Sequence, residues 1–438
     1  MSIIIRTQGK VPRFIKILAT LIFLISPFTK ISAEETLVWQ DCVREAKTGQ
    51  PELISAQEKF NQAKADKAIT RSHIFPSLDL SNKYSYNKTK DTAADTKTLS
   101  RDYEYYKIAG KQLLFDGFKV SNEIASAIEN MRAAEYNYMV VSSNVRLAIR
   151  AAFVELLAAQ ERLGILEDIA KRRRDNLMLV TLNYGAGKEH IGSLLLAQAD
   201  LEQAKFEIEE AKRNIYASQT RLIKRLGRMK ITPVKVQGDF SIAHPERERP
   251  NLDSLAESNP FLKEVISKKD AARFGIKSAK ADFFPKVYAD ASRQRDHIGN
   301  PRDNTDNWMF GATFSLPVFD GGLRMAEVSK AKALFSQLEA DERGGRDNVI
   351  VTLDETWKKF QDAIDEVSVR KSYLHAAEER AKITKTQYSL GLISFDNWII
   401  IEEELVRAKK AFLDIQATVL LREAEWIQAK GGTLDYEN

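Results

Sequence analysis

Residues 115–117 read Phe115-Asp116-Gly117, and 204 residues further on the same three return as Phe319-Asp320-Gly321. From each aspartate, 68 residues lead to a Tyr-x-x-Gly, Tyr184-Gly185-Ala186-Gly187 and Tyr388-Ser389-Leu390-Gly391. Another 40 lead from Gly187 to Gly227 and from Gly391 to Gly431. Upstream, a helix-like stretch opens at Pro51 and again at Pro260, and each closes 25 residues later, at Phe75-Pro76 and Phe284-Pro285. The offset between copies is 209 before these prolines and 204 after, so a five-residue difference falls between Pro76 and Asp116. Intervals recurring in this order make the chain a tandem duplication.

Each copy changes period in the same order. Pro76 ends the first helix, 51–74, because proline has no N–H to continue it. Leu78, Leu80, Tyr84 and Tyr86 then alternate with Ser77, Asp79, Ser81, Lys83 and Ser85. Trp308, Phe310, Ala312, Phe314, Leu316 and Val318 alternate in the same way with Met309, Gly311, Thr313, Ser315 and Pro317. Period two with one polar face is a strand signature. Runs 105–115 and 286–295 complete four strands, with Arg293 and Arg295 expected in water. Segments 87–102 and 296–307, with their Gly, Asn and Asp, read as hairpin loops.

Past Phe-Asp-Gly the apolar residues step by three and four, from Ile124 and Ile128 through Val145, Ala152 and Leu156 to Leu166 and Ala170. That seam predicts one helix over 117–183, about 100 Å long. Residues 320–387 repeat it, with Gly344-Gly345 as an expected weak point. A return helix comes next at about 190–226, and laid end to end with 51–74 it matches the long helix in length. The first repeat thus occupies 34–227, a Pro-containing connector 228–250, the second repeat 251–431 and a tail 432–438.

Lys and Arg total 66 against 61 Asp and Glu, but the excess lies entirely in residues 1–33, so the rest is balanced and offers no basic patch for nucleic acid. Those 33 residues combine five basic residues, an apolar run from Ile17 to Ser26 and small residues at Ser32-Ala33, the order of a secretory signal cut after Ala33. No cysteine stands at that cut, which argues against a lipid anchor, and the lone Cys42 reads as a packed small hydrophobe. No later run of 18 apolar residues exists, so an exported chain of this kind crosses a membrane with strands.

Four strands match tilted membrane-spanning strands in length. They are too few to close, since bacterial barrels start at about 8 strands and an open edge in lipid leaves backbone groups unpaired. The fold class is therefore α+β: a long α-helical coiled-coil barrel continued by a transmembrane β-barrel shared between protomers. Tyr84, Tyr86, Tyr103, Tyr105, Tyr106, Trp308 and Phe310 supply interfacial aromatics. The competing reading is a coiled-coil scaffold without a pore, in the periplasm or on the surface.

In its order of signal, paired Pro…Phe-Pro, paired Phe-Asp-Gly and paired Tyr-x-x-Gly, the chain resembles the TolC outer-membrane efflux proteins over about residues 36–431. The resemblance implies an outer-membrane homotrimer with a twelve-stranded barrel, a periplasmic helical tunnel and an equatorial belt. It further implies passive export as the exit duct of a tripartite efflux pump or type I secretion system. The partners would be a periplasmic adaptor and an inner-membrane pump of RND or ABC type. It assigns Tyr184, Ala186, Gly187, Tyr388, Leu390 and Gly391 to the periplasmic tips that meet the adaptor. Glu189, Ser193, Asp396 and Asn397 become candidate gate residues, although Ser193 and Asn397 stand where family members often carry acids. Phe115, Asp116, Gly117, Phe319, Asp320 and Gly321 mark the strand-to-helix exits.

Enzymatic constellations are absent from the sequence, which calls for no cofactor or metal. The five histidines, His73, His190, His244, His297 and His375, are scattered. Gly185-Ala-Gly-Lys188 lacks the glycine and the Ser/Thr of a phosphate loop. Charged helical positions such as Arg172, Arg173, Arg174 and Asp175 are expected in water, leaving a hydrated bore without a binding pocket.

Overall fold

The computed structural model describes residues 35–91, 96–241, 246–298 and 304–436, with side chains outside 85–105 and 296–304. The expected leader 1–33 lies outside the described residues, as do His244 and the side chains of Tyr86, Tyr103, Tyr105 and His297. In chain order the elements are β1 (Glu35–Leu37), α1 (Trp39–Gly49), α2 (Pro51–Ser72), β2 (Ser77–Asp91), β3 (Thr96–Phe115), α3 (Lys119–Gly185) and α4 (Ile191–Leu226). Then come β4 (Val234–Val236), α5 (Leu252–Ser258), α6 (Pro260–Ala281), β5 (Lys286–Ile298), β6 (Asn304–Ser315), α7 (Leu323–Ser389) and α8 (Phe395–Ala429).

Local chemistry sets the boundaries. Pro51 and Pro260 take the first helical positions, and Gln50 and Asn259 cap them, accepting from the Leu53 amide at 3.1 Å and the Phe261 amide at 2.9 Å. At the strand-to-helix exit, Asp116 accepts from the amides of Lys119 (3.0 Å) and Val120 (2.8 Å), satisfying donors that open α3. Asp320 does the same for Gly322 (3.1 Å) and Arg324 (3.3 Å) before α7.

The helices form one layer around α3. α2 and α4 lie end to end along one side of α3, α6 and α8 lie end to end along its other side, and α7 packs outside α6 and α8. α3 therefore buries two faces: Ile149, Phe153 and Leu157 are buried alongside Val145, Ala152 and Leu156 of the seam read from sequence. α7 runs without a break through Gly344-Gly345, correcting the expected weak point. Gly345 sits against the ring of Phe261 on α6, so packing holds the helix where propensity is poor. β1 and β4 pair in parallel across the waist, which places a small strand inside the segment 228–250. Around them Cys42, Leu37, Phe153, Val234 and Leu226 form the largest core cluster.

The sheet has the order β2-β3-β5-β6, all antiparallel. Its strands reach further than expected, β2 to Asp91 and β3 back to Thr96, so most of 87–102 is paired backbone rather than loop. Likewise β5 runs to Ile298 and β6 begins at Asn304. At the other end β6 stops at Ser315, short of Leu316 and Val318, because Pro317 has no amide to pair.

Directly opposed residues share a face. One face carries the rows Leu78–Gly110–Ala291–Phe310 and Leu80–Ile108–Arg293–Trp308, and the other carries Asp79–Ala109–Ser292–Met309 and Ser81–Lys107–Gln294–Asn307. The apolar face is bare: Leu78, Leu80, Phe310 and Phe314 are 66–78% exposed. Arg293 and Arg295 stand on this apolar face, a correction to their expected place in water. Arg293 is accommodated there by the Trp308 ring, 4.6 Å away, and by Asp306 at 3.0 Å. Among the described residues no helix is long and apolar enough to cross a membrane.

Gly117 and Gly321 test the repeat at atomic scale. Both have positive φ (+70° and +65°), but a Cβ on Gly117 meets the Phe284 Cβ at 2.6 Å, whereas Gly321 has open space. Gly321→Ala is expected to lose about 1 kcal/mol from the backbone alone. Gly117→Ala should lose at least about twice that, read as a larger fall in thermal-unfolding midpoint.

Candidate functional site

The far ends of the two helix hairpins are built on one backbone device. After α3 the Gly187 amide donates to the Tyr184 carbonyl (3.0 Å) and the Lys188 amide to Asn183 (2.9 Å). After α7, Gly391 donates to Tyr388 (3.0 Å) and Leu392 to Gln387 (2.9 Å). These paired bonds form a Schellman motif, which needs a left-handed residue at the glycine; φ is +71° at Gly187 and +73° at Gly391. Each chain then re-enters a helix through an N-cap, His190 for α4 and Ser394 for α8.

Side chains make the two tips different. Tyr388 is buried, stacked on Trp398 with centroids 4.3 Å apart and edge-on to Phe395 at 6.2 Å. Tyr184, its counterpart, is exposed, as are Ala186, Gly187, Leu390 and Gly391. The Tyr388 hydroxyl donates to Glu189 Oε2 at 3.0 Å, joining the two hairpins across their tips. Glu189 Oε1 accepts from Ser193 Oγ at 2.9 Å and the His190 amide at 3.2 Å.

Partial burial pulls the Glu189 carboxyl up, but the Ser193, His190 and Tyr388 donors outweigh it and hold its pKa below the usual carboxylate value. Tyr388 is pushed up to about 12, first by burial, with the Glu189 charge adding to the rise against a hydrogen bond to Asn183. Glu189, Ser193 and Tyr388 thus come together. Asp396 and Asn397 stay exposed on the first turn of α8, and Ser193 faces Glu189 rather than open space.

Above the tips, charges fasten the hairpins together. Arg172 grips buried Glu402 through Nη2 at 2.9 and 3.0 Å. Arg173, itself buried, pairs with Asp200 of α4 at 3.4 Å and with Glu403 of α8. Lys410 reaches Glu207 at 2.8 Å, and Arg162 pairs with Asp414. The expectation that Arg172 and Arg173 stand in water is corrected by these pairings. α3 has neighbours on both sides, so a charge there meets α8 or α4 instead of solvent. No cluster able to hold a metal exists among the described residues.

This arrangement has known counterparts. The outer membrane efflux protein family matches residues 42–228 and 251–432, the two repeats in turn. The chain belongs to that family. It is an outer-membrane efflux channel, with its helices extending into the periplasm. Among relatives, it is 20% identical to the probable outer membrane lipoprotein SilC of Salmonella typhimurium, over 89% of this chain and 85% of SilC. It is 21% identical to the alkaline protease secretion protein AprF of Pseudomonas aeruginosa, over 78% and 73%. The solved structure of CusC superposes with a TM-score of 0.80 at 17% identity, over 89% of this chain and 91% of CusC.

Removing one partner from a buried ion pair strands the other. Arg173→Met should therefore destabilise the α3–α8 seam by about 1–2 kcal/mol, less than for a fully buried pair because Asp200 and Glu403 keep contact with water. The measurement is hydrogen exchange: residues 172–185 and 395–405 should lose protection while the waist around Cys42 keeps it.

Proposed function

We propose that three copies of this chain pool their sheets into a twelve-stranded barrel and their helical layers into a tunnel, forming the exit duct of a tripartite efflux pump or type I secretion machine. The observation that carries this reading is the pair of free sheet edges. Among the described residues β2 and β6 each pair on one side only, beside an apolar face suited to lipid. The helical layer is open in the same sense. Val351, Val369, Tyr373 and Ile383 of α7 are exposed, as are Ile54, Ile69, Phe206 and Tyr216 along α2 and α4. Joining α7 of one copy to α2 and α4 of the next covers both rows.

In this reading the tips face the periplasm. Tyr184, Ala186, Gly187, Leu390 and Gly391, with exposed Leu182 and Leu392, offer a periplasmic adaptor an apolar knuckle. An inner-membrane pump of RND or ABC type supplies the energy, and the duct itself is passive. Tyr388 and Glu189 form the latch that keeps the tunnel narrowed, and Asp396 lines the constriction.

Two measurements test this. The purified chain should run as an oligomer in SDS until heated; a monomer released from membranes by salt would support the scaffold instead. Tyr388→Phe and Glu189→Gln should each raise single-channel conductance in a planar bilayer, while Asp396→Ala should alter ion selectivity. The latch has a defined pH window. The lowered Glu189 value means its contribution is complete above 4.5 and is lost as pH falls through the folded pKa. The raised Tyr388 value keeps its contribution complete below 10 and removes it as pH rises through about 12. Conductance should stay flat between those limits and rise beyond either.

A further inference from the structure

We infer that the outer rim of the sheet's apolar face binds the phosphate of an outer-leaflet glycolipid headgroup, through Arg293 and Arg295 set among Trp308 and Tyr106. The inference rests on the channel reading, because it needs the apolar face to meet lipid. The register places all four residues together. Arg293 lies between Ile108 and Trp308 in one row, and the next row on the same face is Tyr106–Arg295–Asp306. Tyr106 is two residues from Ile108 in unbroken register, so strand alternation puts it on this side, and the register shift in β3 comes beyond it, between Glu104 and Tyr106.

The position identifies the leaflet. Arg293 is six residues beyond Val287 on β5, about 20 Å further from the helices. With the helices in the periplasm, that rim is at the cell surface. Below it the face is Val287, Ala289 and Ala291 on β5, beside Phe310, Ala312 and Phe314 on β6. The two arginines thus end an apolar band, where a long cationic side chain can extend into the headgroup layer.

The chemistry identifies the ligand. Arg293 lies over the Trp308 ring at 4.6 Å, which fixes the plane of its guanidinium. Its Nε and Nη2 donate to Asp306 at 3.4 and 3.0 Å, leaving Nη1 without a partner among the described residues. On this face two guanidiniums meet one described carboxylate, so the group carries a net positive charge that suits an anion. A phosphate matches the planar fork of donors, and the aromatic rings suit the sugar and glycerol level of the interface. The outer leaflet of such a membrane is rich in phosphorylated glycolipid, which commits the site to that occupant rather than to a zwitterionic lipid.

The test uses the full-length oligomer in detergent and native mass spectrometry with diphosphoryl lipid A, its dephosphorylated form and inorganic phosphate. Wild type should retain the phosphorylated lipid at least about tenfold better than the dephosphorylated one. Arg293→Gln with Arg295→Gln should abolish that preference, and Lys107→Gln, on the opposite face, should keep it. Should the double variant not assemble, Arg293→Lys and Arg295→Lys, which keep the charge but lose the fork, should each weaken it. Equal retention of both lipids, an unchanged preference in the arginine variants, or an equal loss in Lys107→Gln would overturn the site. Displacement of the lipid by millimolar inorganic phosphate would overturn the glycolipid assignment in favour of a plain anion pocket. A wild-type chain that neither oligomerises nor conducts would refute the channel reading instead.

Discussion

Every backbone amide and carbonyl along the outer edges of β2 and β6 needs a partner, and hydrocarbon supplies none. Pairing β3 with β5 already joins the two repeats into one sheet, so among the described residues the outer two edges are left. Leaving them bare costs several kcal/mol for each group, far beyond the total stability of an ordinary domain when summed over a strand. Wrapping one four-stranded sheet into a cylinder is geometrically closed off, because barrels of this class need at least about eight strands. Edge-to-edge association is what remains, and it dictates the helices as well. In the proposed oligomer, joining the sheets sets α7 of one copy beside α2 and α4 of the next, which is where the exposed apolar rows stand.

The same duplication explains why the tunnel can be long. A single 67-residue helix such as α3 is held along its length by shorter helices laid end to end on either side. Their junctions fall at the waist, where Gly227 and Gly431 turn the chain with φ of +84° and +83°. A Cβ on Gly227 would collide with the Gly49 carbonyl oxygen, and one on Gly431 with Pro260 Cδ. The 40-residue spacing that recurs in the sequence is thus the distance from tip to waist, set at both ends by glycines with positive φ, and at the waist a side chain has no room as well.

Legibility in the sequence depends on having a period. The helices, the four strands and the turning glycines repeat or alternate, and so leave a signal in Phe-Asp-Gly, Tyr-x-x-Gly and the Trp308–Phe314 alternation. Long-range pairings leave none. Arg172 and Arg173 look like any solvated helical charges until α8 brings Glu402 and Glu403 beside them. β1 and β4 are three residues each, too short for alternation to register. Arg293 reads as a polar residue in a strand, and only the cross-strand register shows that it shares a face with Leu80 and Trp308. Strand length escapes the sequence for a related reason: polar residues at 87–91 and 96–102 resemble loop, although the backbone there is paired.

The tips show how a duplicated backbone acquires unequal roles. Tyr184 and Tyr388 occupy the same position of the same motif, yet one is 41% exposed and the other 4%. The difference lies in the residues just past each turn. Beyond Gly391 the chain supplies Phe395 and Trp398, large rings that close over Tyr388 and aim its hydroxyl outward at the neighbouring hairpin. Beyond Gly187 it supplies Glu189, with Ser193 and the His190 amide to hold the carboxylate in place. Neither half makes a contact between hairpins alone: a second tyrosine opposite Tyr388 would bring a neutral partner, and a second acid opposite Glu189 would repel it. Divergence after duplication therefore created this contact between hairpins by giving one tip the donor and the other the acceptor. A single neutral–charged hydrogen bond of this kind is worth about 1.5–3 kcal/mol, which in the proposed duct would favour a closed tip and still let an adaptor's contacts break it.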